Sequence, residues 1–380
     1  RPQGKEPGGV SAMQNAKDEV FLSFAAAWFD PLPQITKQYL LKYFPDTNEV
    51  EMVDLKSRRL FLKRSPCSDH HSARDFYVGA KVLLYGRELT ISGYGDEGTK
   101  RRLSPKAKTA VVVAPRLLPH FGKVLDGLIQ GTGGSMLVEL RMVRVGSNQA
   151  AEVCALLGLR GTQARDAAAA LEGDGGGSGC VLAGVLHGEG IDDKCRQRGG
   201  RGRARLPGLG AAEAAEGLEG FFFGEGAGRR FEPTATFDSC TCCVIKPHAV
   251  KAGDAGKILD HVLGQGYEVS ALQLFRLDRA SAAEFLEVYK ASAGVVPDFT
   301  EMVDEMVTGP CIAMEVRAQD AVATFRTTAG PWEVEMAKEL RPGTLRGCYG
   351  LDRVRSGVHC TDLPEDGVLE CQYFFELLQS

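Results

Sequence analysis

Residues 241–277 read TCCVIKPHAVKAGDAGKILDHVLGQGYEVSALQLFRL, and the order of features within them decides the fold. A short apolar run ends at Ile245, Lys246 and Pro247 follow, and Gly256-Lys257 opens a segment carrying Ile258, Leu259, Val262 and Leu263. A short apolar run closed by a turn signal suits a buried strand, and that later spacing places one apolar face on a helix. The stretch therefore reads strand, turn, helix, strand. The same layout occurs upstream as TAVVVAPRLLPHFGKVLDGLIQ, residues 109–130, with Val124, Leu125, Leu128 and Ile129 in the helical spacing. Thr109, Pro115, Gly122 and Lys123 return in order as Thr241, Pro247, Gly256 and Lys257, which is the signature of an internal duplication.

Downstream the second copy continues in regular order. Ser281 with Glu284, and Asp298 with Glu301, have helix-start spacing. PCIAMEVR (310–317) reads as a strand, AQDAVATFR (318–326) as a short helix, and GVHC (357–360) as a last strand before the acidic turn DLPEDG. Strand-helix-strand followed by helix-strand-helix-strand is the order of a split βαβ, ferredoxin-like sheet.

Upstream, residues 15–104 are rich in aromatic and β-branched residues, with turn material at FPDTNE (44–49) and SGYGDEG (92–98), and read as a small β-rich domain. Within it EVEMVDLKSRRLFLKR (49–64) alternates as a hairpin, with Val50, Met52 and Leu55 inward, then Leu60 and Leu62 after the break. The fold class is thus α+β: a β-rich N-terminal domain (15–104) and two ferredoxin-like copies, at 106–230 and 236–380.

Between the copies the composition changes. Of 46 glycines, 20 lie between Gly158 and Gly228, beside GDGGGSG and RQRGGRGRAR, so residues 158–220 are expected to bury too little apolar surface to order regularly. The Arg-Gly run carries no interleaved aromatics and reads as a solvated linker rather than an RNA contact.

A chain of 380 residues suits two or three domains. Net charge −4 supplies no general drive toward nucleic acid, and no segment gives about 18 apolar residues in a row, so neither nucleic acid nor membrane is an expected partner. A soluble intracellular protein is expected, with Met13 a plausible translational start. Eleven cysteines without a regular framework read as reduced, mostly buried thiols. Cys240, Cys242 and Cys243 read as part of a strand rather than as zinc ligands, because no second pair follows at finger-like spacing.

Four ordered motifs, CVIKPHAV (243–250), TGPCIAMEV (308–316), RPGTLRG (341–347) and SGVHCTD (356–362), resemble the nucleoside diphosphate kinase family. WFDP (28–31) and the hairpin after it resemble the DM-ten type domain, which precedes two kinase-like copies in a ciliary branch of that family. The resemblance implies phosphoryl exchange between nucleotides through a phosphohistidine, with magnesium carried on the phosphates of ATP or another nucleoside triphosphate and no metal cage in the protein. It assigns His359 as nucleophile, Arg326 and Arg346 as phosphate-binding arginines, Lys246 as the catalytic lysine of the first strand, and Tyr289 as a hydroxyl near the reacting group. Phe299 matches the base-stacking aromatic, Ser356 a ribose-contacting position usually held by Asn, and Thr361 and Glu370 the groups that orient the histidine. Trp332 stands where relatives carry a small hydroxyl residue.

An imidazole can attack at neutral pH without a separate base, and the small neighbours of His359 are expected to leave its ring accessible. His120, His248 and His261 match no motif and are expected to be structural. The first copy has Ala114 in place of the lysine, no PGTLR, and no histidine before FFF (221–223), so an active kinase is expected in the second copy only. The ciliary resemblance further implies an axonemal location in cilia or flagella, with tubulin and other axonemal proteins as partners, and a scaffold role on the doublet microtubule beside or instead of kinase activity.

Overall fold

The computed structural model describes residues 20–30, 32–67, 71, 73–103, 108–130, 135–172, 179–187, 212–291 and 299–379. Two compact units divide the chain near residue 102.

The N-terminal unit is a curled antiparallel sheet of strands β1 (Leu22–Asp30), β2 (Ile35–Phe44), β3 (Glu49–Asp54), β4 (Leu60–Pro66), β5 (Lys81–Leu84) and β6 (Arg87–Tyr94), in the order β4-β3-β2-β1-β6-β5. Alternation along β2 and β3 buries Tyr39, Leu41, Tyr43, Val50 and Met52 on one face. Phe76 closes that face, stacked on Tyr43 with ring centroids 4.3 Å apart. The hairpin at 49–64 forms with Met52 opposite Leu62. Leu55 and Leu60, expected inward, are instead exposed, because β4 is the outermost strand and its break turns Leu60 away from the core.

The second unit is built on one seven-stranded sheet: β7 (Lys108–Val113), β8 (Met136–Val145), β9 (Gly179–His187), β10 (Cys240–Ile245), β11 (Glu268–Phe275), β12 (Cys311–Arg317) and β13 (Val358–Cys360), in the order β13-β10-β12-β11-β8-β9-β7. Numbered within its own half, the C-terminal part has strand order 4-1-3-2, the ferredoxin-like arrangement. The preceding part has the order 2-3-1, continuing the sheet in mirror sequence from the shared β11-β8 edge. At that seam Arg141 stands opposite Gln273. Gln379 ties them, accepting from Arg141 Nη2 at 3.3 Å and donating to Gln273 Oε1 at 2.8 Å.

Above the seam the helices Phe121–Gln130 and Ala255–Gly264 pack against each other, and Leu125, Ile129, Ile258, Leu259 and Val262 join one apolar core that runs under both halves. A second core, on the opposite face of the C-terminal half, packs the helix Asp366–Phe375 through Cys371 and Phe374 against Cys242 and Val244 of β10. The cysteine run is therefore a strand, every residue of β10 being buried.

The stretch expected to be irregular contains the helix Gly161–Glu172 and strand β9, and the helix Ala212–Phe223 begins within it. The glycines of β9 serve close packing, for a Cβ on Gly179 would meet the carbonyl oxygen of Leu171 at 2.1 Å. Residues 188–211, with the Arg-Gly run, and the N-terminal 19 residues lie outside the described residues. The helix at 279 begins one turn earlier than expected, since Asp278 caps it by accepting from the Ser281 N–H at 2.8 Å. Asp298, the other expected cap, lies outside the described residues. No helix among the described residues is long and apolar enough to cross a membrane.

Candidate active site

Strand β10 ends at Ile245, and Pro247 opens the helix Pro247–Ala252, a position where a missing N–H costs nothing. Lys246 is thereby set at the strand end with its side chain buried. Its Nζ donates to Val354 O at 2.7 Å and Ser356 Oγ at 2.9 Å. Burial, reinforced by the charge of Arg346, pulls its pKa down to about 8. In the first half of the unit the corresponding strand end is Ala114, also followed by a proline.

Beside β10 runs β13, with His359 opposite Val244. His359 Nε2 lies 2.8 Å from Glu370 Oε2 on the helix Asp366–Phe375. The same carboxylate oxygen accepts from Thr361 Oγ1 at 2.9 Å, and Thr361 Oγ1 accepts the backbone N–H of Cys242 at 3.0 Å. A carboxylate facing Nε2 requires the hydrogen there, so the neutral ring carries its lone pair on Nδ1. Nδ1 makes no hydrogen bond among the described residues. The ring is 2% exposed, less open than its small sequence neighbours suggest, because Phe285 and Tyr289 pack edge-on with centroids 4.9 and 6.2 Å away.

Tyr289 donates to Asp362 Oδ2 at 2.6 Å, and burial followed by the Asp362 charge pushes its phenol well up, so it stays a donor. Arg326 reaches the same residue, donating to Asp362 O at 2.7 Å. Arg346 is held in the helix Leu345–Tyr349, which Thr344 caps, and donates to Gly330 O at 2.9 Å. Its Nε is buried without a partner. Arg326, Arg341, Arg346 and Trp332 line an open pocket of about 270 Å³ together with Asp362 and the Gly330–Pro331 backbone. Three guanidinium groups around one cavity suit a polyanion.

Trp332 occupies the middle of this arrangement. Its ring centroid lies 4.9 Å from Arg346 Cζ, 5.8 Å from Lys246 Nζ and 5.5 Å from the Tyr289 ring. Its indole nitrogen is buried with no partner.

His359, Glu370, Thr361, Lys246, Ser356, Tyr289, Arg326 and Arg346 are thus gathered at one end of β10 and β13. Phe299 starts the helix Phe299–Met306, partly buried against the second core, and does not line the pocket. Sequence reading missed Arg341 and Asp362, although both stand inside the quoted motifs RPGTLRG and SGVHCTD. It also missed the partners of His248, for which no local signal exists. Of the nearby carboxylates, Asp362 accepts from Tyr289 and Glu370 faces His359 Nε2. Among the described residues Cys240, Glu315 and Cys371 have ligating atoms within 4.8 Å of one another. The Glu315 oxygens, however, already accept from Thr236, Phe237 and Ser270, and the Cys240 and Cys371 thiols are pushed far up, which keeps them protonated.

The family "Nucleoside diphosphate kinase" matches residues 239–379. Over its whole length the chain is 35% identical to "Nucleoside diphosphate kinase homolog 7" of Rattus norvegicus, covering 99% of that protein, and equally similar to the Mus musculus protein. A nucleoside diphosphate kinase of Aquifex aeolicus is 32% identical over 139 residues, 37% of this chain and 95% of that one. A crystal structure of the Aquifex aeolicus enzyme aligns with 37% of this chain at a TM-score of 0.35.

Proposed function

Because this chain belongs to the nucleoside diphosphate kinase family, we propose that residues 236–380 exchange terminal phosphates between nucleotides through phospho-His359. The observation that carries the reading is the 2.8 Å bond between His359 Nε2 and Glu370, which leaves the Nδ1 lone pair unengaged.

In the first step Nδ1 attacks the terminal phosphorus of a nucleoside triphosphate. The N–P bond forms as the bond to the bridging oxygen breaks, and the electron pair leaves with the nucleoside diphosphate. Lys246, Arg326 and Arg346 neutralise the oxygens as charge shifts toward the leaving group. Glu370 stabilises the positive charge that the ring acquires, while Thr361 fixes the carboxylate. A terminal oxygen of a second diphosphate then attacks the same phosphorus and regenerates His359. Bound to the nucleotide phosphates, magnesium would offset part of their charge. Steady-state conversion of GDP to GTP at the expense of ATP tests this; no conversion by folded protein, with His359→Ala indistinguishable, contradicts it.

The arrangement of the preceding half supports a second role. The described part of residues 106–230 keeps three strands and a helix of a kinase-like copy while Ala114 replaces the lysine, and on this reading its use is to complete a seven-stranded sheet. On this reading the protein also serves as a structural component of the ciliary or flagellar axoneme, docked on doublet microtubules. Co-sedimentation with purified doublets, equal for the wild type and His359→Ala, is the expected result; absence of binding to doublets by either protein rejects the role.

A further inference from the structure

We propose that His248 is a positioning residue for transfer at His359: its imidazole, oriented by Glu305, holds the backbone N–H of Gly357 and so fixes the Ser356–His359 segment against Lys246. The inference rests on the phosphotransfer reading for its kinetic consequence, though not for its geometry.

His248 Nε2 lies 3.2 Å from the Gly357 nitrogen and accepts its hydrogen. On the other side of the ring Nδ1 is 2.8 Å from Glu305 Oε1, an oxygen that also accepts the His248 backbone N–H at 3.1 Å. An acceptor carboxylate at Nδ1 and a donor amide at Nε2 together select one neutral tautomer. Glu305 is 3% exposed and comes from the helix Phe299–Met306, 57 residues away in sequence. Burial alone would raise its carboxyl, but the bonds from His248 outweigh that and hold it below the ordinary range.

The opposite group of Gly357 is held as well, for its carbonyl accepts the Lys246 N–H at 3.0 Å. Lys246 Nζ meanwhile donates to Ser356 Oγ, so one three-residue turn grips the residues immediately before the β13 strand at three points. Gly357 has φ +82°, and a Cβ there would meet the Tyr349 carbonyl carbon at 3.2 Å. A left-handed residue two positions before the nucleophile needs such fixing, because a small rotation there swings the His359 ring.

The test uses the full-length chain and two variants. His248→Asn keeps an amide able to bond Glu305 but is too short to reach Gly357. His248→Gln places an amide oxygen where Nε2 stood. Two quantities are read: the rate of label transfer from γ-labelled ATP at saturating nucleotide, and amide exchange at Gly357 by mass spectrometry. For His248→Asn the rate falls roughly 10- to 100-fold with ATP affinity within about twofold, and Gly357 exchanges faster. His248→Gln recovers most of both. A wild-type rate in His248→Asn, or slowing with unchanged exchange at Gly357, overturns the proposal. If the wild type accepts no label, the phosphotransfer reading is what fails, and exchange at Gly357 alone then decides whether the clamp exists.

Discussion

Gly122 and Gly256 face one another's helix across the seam of the second unit: a Cβ on Gly122 would meet the Asp260 nitrogen at 2.3 Å, and one on Gly256 the Asp126 nitrogen at 2.2 Å. The reciprocity mirrors the duplicated sequence, and it lets two backbones touch where any side chain would separate them. Either glycine changed to alanine gains helix propensity yet forces the helices apart. We expect a net loss of about 1–3 kcal/mol, seen as a lowered midpoint for thermal unfolding of the full chain.

Trp332 stands between Arg346, Lys246 and Tyr289, where phosphates are expected to lie. Trp332→Thr removes the ring and leaves a hydroxyl. ATP affinity rises by roughly tenfold, the scale of one displaced aromatic contact, in calorimetric titration. In the wild type, ATP changes the fluorescence of a chain that has only two tryptophans, and Trp28→Phe retains that change.

Lys246 provides a pH dependence with a definite sign. Its pKa is pulled to about 8 in the folded chain by burial and then by Arg346, whereas an unfolded lysine titrates near ~10.4. Above pH 8 the folded side chain loses its proton, so ATP binds less tightly at pH 9 than at pH 7. Lys246→Met binds weakly and lacks this limb. Between those two pKa values the unfolded chain holds more protons than the folded one, so this group's contribution to stability rises with pH through the same window.

Glu370→Gln retains the shape at His359 Nε2 but removes the charge that fixes the tautomer and stabilises the ring in transfer. Phosphorylation slows by about 10²-fold or more, while ATP affinity in the same titration is nearly unchanged.

Much of this architecture was legible because its signals are local. The run ending at Ile245, the proline after it, and the spacing of Ile258, Leu259 and Val262 state strand, turn and helix within one window, and the upstream copy repeats them. The motifs around Lys246, Arg346 and His359 are likewise short contiguous stretches that can be read directly in the sequence. What was missed depends on residues far apart in sequence. Glycine count concealed β9, whose glycines answer to the packing of Leu171 and Leu140, and the helix Gly161–Glu172 carries alanines that favour helix strongly. His248 read as structural because Glu305 and Gly357 are distant in the chain. The buried ring of His359 follows from Tyr289 together with Phe285, and no motif places Phe285 beside it.

The central claim is that His359 takes the phosphate, and the direct measurement is mass spectrometry of the full-length chain after brief incubation with ATP and magnesium, under alkaline conditions that preserve phosphohistidine. The account predicts one phosphate on the peptide containing His359, discharged by added GDP and absent from His359→Ala. Wild-type protein that binds ATP yet stays unmodified, or a phosphate that persists in His359→Ala, would contradict it.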